Sequence, residues 1–219
     1  MAYKNIIFDL DGTLIDSARI TGLILDQMLA ERGVGEPADR EVIKAMDAVG
    51  GTAMIAAVLG PHTTDPAADL EEFRARHRRI EVPGDVLFPG VAAALGALSA
   101  RGVGMAICSN KPQVLCEKIL GDLGIASRFA GIFGSVPDRP RKPDPAAALL
   151  ALGALGGGPE TALFCGDSII DVETATAARV AACLVSWGYG TAHARTLHPG
   201  LPVMRDMVDL CALVHSGRA

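Results

Sequence analysis

The fold is decided close to the start of the chain, in the stretch Asn5-Ile6-Ile7-Phe8-Asp9-Leu10-Asp11-Gly12-Thr13-Leu14. Its apolar run has the length and the β-branched content of a buried strand. Two acids, Asp9 and Asp11, follow at once, together with a glycine that lets the backbone turn. In open parallel sheets, ligands collect beyond the carboxyl ends of the strands, which is where these acids would lie. Taken alone, however, the pair is better explained as a polar Asp-Gly turn without chemistry.

Length and composition limit the class of protein. A chain of 219 residues suits one large domain or two smaller ones, and half of its residues are hydrophobic, so it can build a large core. The net charge of −5 argues against a nucleic-acid binder, and no run approaches the apolar length of a membrane span. The five cysteines are scattered without metal-site spacing, which is typical of buried thiols in the cytosol. We expect a cytoplasmic protein, monomer or homodimer, that binds neither nucleic acid nor membrane.

The hydrophobic pattern divides the chain into two parts. Residues 17–83 show only helical periodicity, with helices predicted over 18–32, 41–48, 52–59 and 67–80. From residue 84 onward, strands alternate with helices: the strands are predicted over 103–108, 131–134, 162–165 and 181–185. Such alternation is typical of parallel βαβ units in one sheet. The sequence therefore predicts an α/β protein: a Rossmann-like parallel sheet core with helices on both faces, residues 1–16 and 84–219, and an inserted all-helical cap domain, residues 17–83.

Three more polar side chains stand at the ends of predicted strands or loops. Ser109 and Asp167 directly follow strands, and Lys142 lies in a loop before a helix. Ser109 and Lys142 have ordinary explanations, because serine often serves as a turn or cap residue and lysine is usually exposed. A cap does not explain Asp167, which follows a strand and Gly166 and precedes the capping box of its helix. Helix caps also explain two further pairs of residues, Ser168 with Asp171 and Thr13 with Asp16, which fit capping boxes.

The placement of these residues together says more than any one of them. Neighbouring strands of a parallel sheet lie about 5 Å apart, so Asp9, Asp11, Ser109, Asp167 and Lys142 can meet over one edge. The three aspartates bring three negative charges against one lysine, and a divalent cation would bring the site close to neutrality. A set of oxygen ligands suits Mg²⁺. A phosphate dianion would then be held by the metal, the lysine and the hydroxyl and N–H donors.

Four segments carry a resemblance to a known family, in the order Asp9-Leu10-Asp11-Gly12-Thr13-Leu14, Ser109-Asn110, Lys142-Pro143-Asp144-Pro145 and Gly166-Asp167-Ser168-Ile169-Ile170-Asp171. Together they resemble the four motifs of the haloacid dehalogenase superfamily, and the helical insert is similar to its C1 cap. Within that superfamily, the chain most resembles the phosphoglycolate phosphatases. The segments that carry this resemblance are Ser109-Asn110-Lys111-Pro112, Arg139-Pro140-Arg141-Lys142-Pro143-Asp144-Pro145 and Gly188-Tyr189-Gly190.

The resemblance implies a mechanism and a role for each core residue. Asp9 would be the nucleophile that forms an aspartyl-phosphate, and Asp11 the general acid and then the base. Mg²⁺ would be held by Asp9, the backbone carbonyl of Asp11, and Asp167. Lys142 and Ser109 would fix the phosphoryl oxygens. Asp171 would orient Lys142 or a metal-bound water. Thr13 and Asn110 would complete the set of substrate-binding residues.

The substrate is predicted less directly, because the insert rather than the core would select it. Gly50 and Gly51, with Lys44 and Thr52 beside them, are candidate substrate contacts, although the glycine pair is equally explained as a break between two helices. The arginines of residues 74–79 could attract an anion, but a solvated helix face explains them better. We expect a small phosphorylated metabolite, with 2-phosphoglycolate first. Transfer of the β-phosphoglucomutase kind, pyrophosphate hydrolysis, or a non-catalytic binding or regulatory module remain alternatives.

Overall fold

The chain is built around one parallel sheet. The computed structural model describes residues 3–46 and 49–216. The strands are β1 Asn5–Phe8, β2 Gly104–Pro112, β3 Gly131–Ser135, β4 Ala162–Gly166, β5 Ala181–Val185 and β6 Val203–Met204. They lie in the order β3-β2-β1-β4-β5-β6, and each neighbouring pair is parallel.

Helices fill the connections between the strands. They are α1 Ser17–Glu31, α2 Arg40–Met46, α3 Gly51–Leu59, α4 Pro66–His77, α5 Val91–Ala100, α6 Gln113–Asp122, α7 Pro145–Leu155, α8 Ile169–Ala177, α9 Thr191–Leu197 and α10 Met207–Ser216. None of the helices within the described residues combines the length and the apolar character that crossing a bilayer needs.

The core of the sheet lies between two layers of helices. On one face, the small residues of α7 and α8 pack in a single cluster with Ile7, Ala106 and Phe164 of the three central strands. The right-handed crossovers from β1 to β2 and from β2 to β3 place α5 and α6 on the other face of the sheet. The side chains of Ile6 and Phe8 are buried on this face. All four residues of β1 are buried, because this strand is covered on both faces.

The strand order determines where a ligand can bind. β1 pairs with β2 on one side and with β4 on the other, and the chain reverses its direction of winding between them. At such a switch point, the loops after adjacent strands lead away to opposite faces and leave a crevice at the carboxyl edge. Asp9 and Asp11 follow β1 directly at this point.

The residues separate into two compact units. One unit takes the chain up to Ile15 and from Leu87 onward and contains the sheet. The other, Asp16–Val86, holds α1 to α4, and its described residues form no strand. Within this second unit α1 packs against α2 and α4. Asp26 of α1 binds the Arg40 guanidinium and accepts a hydrogen bond from the N–H of Ala38, at 2.8 Å.

The predicted fold class is confirmed: a parallel α/β core and an all-helical insert. Details of four elements differ from the prediction. β2 continues past Cys108 to Pro112, because an irregular register lets Pro112 pair again with Ser135. Helix α9 and the two-residue strand β6 were not predicted, since both are too short to show a period. The predicted helix 41–48 appears as Arg40–Met46; its residues 47 and 48 lie outside the described residues, as do 1–2 and 217–219.

The cysteines are all free thiols. Four are buried as predicted: Cys108, Cys116, Cys165 and Cys183. The prediction is wrong for Cys211, which is only partly buried because it lies near the surface of the terminal helix α10.

Candidate active site

Asp9 and Lys142 form a buried ion pair at the carboxyl edge of the sheet. The N–H of Asp9 donates to the carbonyl of Cys165 on β4, at 3.0 Å, and so continues the pairing of β1. Lys142 Nζ lies 2.8 Å from Asp9 Oδ1, and each residue is 7% exposed. Among the described residues, Asp9 Oδ1 accepts no hydrogen bond of regular geometry. This oxygen is therefore buried beside the ammonium and able to contact a further group.

Asp171 holds the other side of the same ammonium. Lys142 Nζ donates to Asp171 Oδ1 at 2.6 Å. The second oxygen of Asp171 accepts from the N–H groups of Asp167 and Ser168 and from the Ser168 hydroxyl. The predicted capping box of Ser168 and Asp171 is confirmed at the start of α8. Because donors engage both of its oxygens, Asp171 fixes the positions of Lys142 and of the Asp167 backbone.

Asp167 follows β4 and is enclosed by a glycine loop. The N–H of Gly190 donates to Asp167 Oδ2 at 3.0 Å, and the Thr191 hydroxyl donates to the Asp167 carbonyl at 3.2 Å. A Cβ atom on Gly188 would lie 2.1 Å from the Cβ of Asp167, and one on Gly12 would lie 2.6 Å from its Oδ2. Glycine at both positions therefore lets two loops close around this carboxylate.

Three carboxylates meet in this cluster. Oxygen atoms of Asp9, Asp167 and Asp171 all lie within 4.8 Å of one another, and all three side chains are buried. When all three carboxylates are ionised, they and Lys142 carry two net negative charges in a buried place, which is costly without a cation. Buried oxygen ligands at this spacing fit a hard divalent ion. The donor set and the charge therefore both suit Mg²⁺.

The electrostatics of Asp9 and Lys142 follow from burial and from their neighbours. Burial raises the pKa of Asp9 to about 7, even though the Lys142 ammonium lowers it. Burial alone would lower the pKa of Lys142, but the carboxylates of Asp171 and Asp9 together raise it well above its ordinary value. Lys142 is therefore a fixed positive charge.

Asp11 is paired with Lys111, a residue for which the sequence motifs predict no role. Lys111 Nζ lies 2.9 and 3.0 Å from the two oxygens of Asp11. Both side chains are largely buried. Lys111 belongs to the end of β2, beyond the point where the predicted strand ends. The sequence signal for Lys111 is its position two residues after Ser109, near the end of the same strand.

Ser109 and Asn110 lie on the same segment of β2. Ser109 is 7% exposed, and its hydroxyl accepts from the N–H of Lys111 at 3.2 Å. The side-chain amide of Asn110 donates to the backbone carbonyl of Lys142 at 2.9 Å. Asn110 therefore ties the Lys142 loop to the strand.

Thr13 lies inside the turn that carries Asp11. Its side chain is fully buried, and its hydroxyl has no hydrogen-bond partner among the described residues. Its carbonyl accepts from the indole N–H of Trp187 at 3.1 Å. The capping box predicted for Thr13 and Asp16 is wrong, because Asp16 itself occupies the N-cap of α1, without a capping bond from its side chain.

Two groups of predicted contacts lie in the second unit. Gly50 precedes α3 and Gly51 is its first residue, so the pair marks the start of a new helix, as the helix-break interpretation has it, and each has φ of 59°. Arg74 and Arg76 form ion pairs, with Glu71 for the first and with Glu31 and Glu72 for the second. These two arginines are therefore part of a salt-bridged helix face. Lys44 pairs with Glu41 in the same way.

Fold and site together define a class: a Rossmann-like α/β protein with a buried cluster of carboxylates and one lysine at the switch point of its sheet. A family model, "haloacid dehalogenase-like hydrolase", matches residues 3–179. The chain belongs to this family of hydrolases, and the family that the sequence predicted is confirmed.

The chain is similar to known proteins over most of its length. A phosphoglycolate phosphatase of Rhodospirillum rubrum is 36% identical over 216 residues, which cover 94% of this chain and 89% of that protein. One from Yersinia pseudotuberculosis is 33% identical and covers 95% and 92%. The crystal structure of a predicted phosphoglycolate phosphatase from Haemophilus somnus superposes with a TM-score of 0.82 at 26% identity, covering 97% and 98%.

Proposed function

We propose that this protein is a Mg²⁺-dependent phosphatase, which hydrolyses the phosphomonoester of a small metabolite through an aspartyl-phosphate. The observation that carries the proposal is the buried cluster of Asp9, Asp167 and Asp171 around Lys142. The names of the similar proteins support 2-phosphoglycolate as the substrate. We also propose that the protein is cytoplasmic and that it is a monomer or a homodimer.

Asp9 and Asp11 divide the covalent chemistry between them. A carboxylate oxygen of Asp9 attacks phosphorus, and the bond from phosphorus to the ester oxygen breaks while Asp11 gives its proton to the leaving alkoxide. Asp11, now a carboxylate, takes a proton from water. That water attacks phosphorus, breaks the aspartyl-phosphate bond and releases inorganic phosphate, which restores both aspartates.

Fixed positive charge and hydrogen-bond donors hold the phosphoryl group. The Lys142 ammonium is buried beside Asp9, so it reduces the repulsion between the carboxylate and the phosphate dianion. The Ser109 hydroxyl, on β2, is the proposed hydrogen-bond donor to a phosphoryl oxygen. Since the transferred group needs mostly positioning and charge neutralisation, these contacts supply much of the catalysis.

Asp9, Asp167 and the backbone carbonyl of Asp11 would hold the metal ion. When bound, Mg²⁺ supplies positive charge to the phosphoryl oxygens. Asp171, whose oxygens are already engaged, keeps Lys142 and the Asp167 backbone in place.

Gly12→Ala should raise the Mg²⁺ concentration for half-maximal activity by about tenfold or more, because the new Cβ displaces Asp167 Oδ2. The φ of +72° should also cost about 1–2 kcal/mol of unfolding free energy. Activity at graded Mg²⁺ and urea unfolding measure the two effects.

Gly102→Ala is the matched control for Gly12→Ala. Gly102 has φ of +73° and nothing within 4 Å of an added Cβ. It should lose similar stability and keep the Mg²⁺ dependence of the wild type. Equal Mg²⁺ dependence in both variants would contradict the close packing of Gly12 on Asp167 as its cause.

Asp11→Ala should accumulate a phospho-enzyme, because the first step can proceed with a good leaving group while water is no longer activated. We expect the mass of one added phosphoryl group on the intact protein after mixing with p-nitrophenyl phosphate. The double variant Asp9→Asn, Asp11→Ala should show none. If Asp11→Ala stays unmodified with every leaving group tried, its proposed acid and base role is wrong.

The experiment that tests the proposed function is a phosphate-release screen over phosphorylated metabolites, with Mg²⁺ and with EDTA. We expect release from 2-phosphoglycolate that EDTA abolishes and excess Mg²⁺ restores. Release that needs a bisphosphate activator, or pyrophosphate as the preferred substrate, would overturn the proposal.

The domain organisation belongs to the same proposal. Residues 1–16 and 84–219 would form the catalytic core, and residues 17–83 the cap domain that selects the substrate. Positive φ at both Gly50 and Gly51 supports a sharp backbone turn at the start of α3, beside the proposed substrate contacts.

A further inference from the structure

Lys111 is a second lysine at the site, and the charge of the metal cluster does not require it. Asp9, Asp167 and Asp171 carry three negative charges, which one divalent cation and the Lys142 ammonium balance. Lys111 instead forms a pair of its own with Asp11, whose oxygens lie 2.9 and 3.0 Å from Nζ. In the proposed mechanism, Asp11 faces the leaving group. The ammonium of Lys111 therefore lies on the leaving-group side.

The backbone of Lys111 is fixed from two directions. Its N–H donates to the Ser109 hydroxyl, and its carbonyl accepts from the Cys116 thiol of α6, at 3.6 Å. The residue lies within β2 rather than on a free loop, and its side chain is 11% exposed. A cation held on a rigid element can discriminate between ligands better than one on a mobile loop.

We propose that Lys111 is a specificity-determining residue, which binds an anionic group, a carboxylate, on the leaving-group side of the substrate. This inference rests on the proposed phosphatase function. A neutral alcohol leaving group would offer this ammonium no anionic contact. A carboxylate in the leaving group would contact it through a charge-assisted hydrogen bond.

The reach of Lys111 fits a short leaving group. Asp11 contacts the ester oxygen, and Lys111 contacts Asp11, so Nζ lies within about two hydrogen-bond lengths, roughly 5–6 Å, of that oxygen. In 2-phosphoglycolate a single methylene separates the ester oxygen from the carboxylate. The carboxylate can therefore bind Nζ while Asp11 stays in contact with the ester oxygen.

The test compares Lys111→Gln with the wild type on two substrates of similar size, 2-phosphoglycolate and 2-hydroxyethyl phosphate. We expect kcat/KM for 2-phosphoglycolate to fall by about 10- to 150-fold, the loss of one hydrogen bond between charged groups. Because Lys111 also pairs with Asp11, kcat/KM for 2-hydroxyethyl phosphate should fall as well, but by about tenfold less, so that the preference for 2-phosphoglycolate is lost. Lys111→Arg, which keeps the charge, should restore part of the preference.

Other outcomes separate this inference from the proposed function. Equal losses of kcat/KM on the two substrates would mean that Lys111 only positions Asp11. Unchanged rates on both substrates would mean that Lys111 binds no anion. Either result overturns the inference and leaves the proposed phosphatase function in place. A wild type that hydrolyses neither substrate nor any other phosphomonoester overturns both. If Lys111→Gln does not fold, the ratio of the two rates in Lys111→Arg decides, because an unchanged or raised preference supports anion binding and a lost one contradicts it.

Lys118→Gln is the matched control. Lys118 lies on α6 of the same unit and pairs with Asp122 one turn away. Removing its charge changes the net charge of the protein as Lys111→Gln does. The rates on both substrates should stay as in the wild type, and a loss of preference here would show that overall charge, not Lys111, steers the carboxylate.

Discussion

Asp9→Asn should lower kcat by at least about 10⁴-fold and leave the fold intact, because the amide cannot attack phosphorus. The side chain is buried beside Lys142, and asparagine has nearly the same shape, so packing around β1 is kept. The measurement is phosphate release under saturating Mg²⁺, with circular dichroism as the check on folding.

Asp122→Asn is the control for this change. It also replaces an aspartate by asparagine in the sheet-containing unit, but Asp122 pairs with Lys118 at the end of α6. Its activity should equal that of the wild type. Activity of Asp9→Asn within about tenfold of the wild type would remove Asp9 as the nucleophile.

The thermal stability of Asp9→Asn, compared with that of the wild type in EDTA, should depend on pH. The pKa of Asp9 is raised by burial from 3.8 to about 7, so between these values the folded protein holds a proton that the unfolded chain has released. Wild-type stability should therefore fall as pH rises through this window and level off above the folded pKa. The Tm of Asp9→Asn minus that of the wild type should grow between about pH 5 and about pH 8. A difference that does not change with pH would contradict the raised pKa.

Lys142→Met should abolish activity and also destabilise the fold, by about 3–5 kcal/mol. The methionine fills the same space, but Asp9 and Asp171 lose the ammonium that lies 2.8 and 2.6 Å away and become uncompensated buried charges. Urea unfolding in EDTA measures the loss without a contribution from bound metal.

Two further variants test that explanation of Lys142. Lys118→Met removes a partly exposed i,i+4 pair and should cost less than about 0.5 kcal/mol. Adding Asp9→Asn to Lys142→Met should recover part of the lost stability, because one of the unpaired carboxylates is gone. Additive destabilisation in the double variant would show that lost packing, not charge, causes the effect.

The sheet geometry made the central part of the site predictable. Asp9 and Asp167 each follow a buried apolar run, and parallel strands place their carboxyl ends at one edge. The structure brings oxygen atoms of these two carboxylates and of Asp171 within 4.8 Å of one another, and Lys142 pairs with Asp9 and with Asp171. The roles of the residues in catalysis remain proposals.

Other features depend on contacts that no local pattern carries. The pairing of Lys111 with Asp11 joins residues far apart in the chain, and it requires β2 to continue through an irregular register after Cys108. The capping box of Thr13 and Asp16 failed because the backbone hydrogen bonds of residues 10–15 hold Thr13 inside a turn of its own. Local spacing alone does not distinguish such a turn from the start of a helix.

The central position of β1 has a consequence for synthesis on the ribosome. This strand is made first, but its partners are residues 104–107 and 162–165. At about 5–20 residues per second, β4 follows β1 by roughly 8–30 seconds. Until β4 emerges, at least one edge of the apolar segment Asn5–Phe8 has no partner strand. A nascent chain stalled before β4 should therefore bind a holdase chaperone and should become protease-resistant only after β4 has emerged.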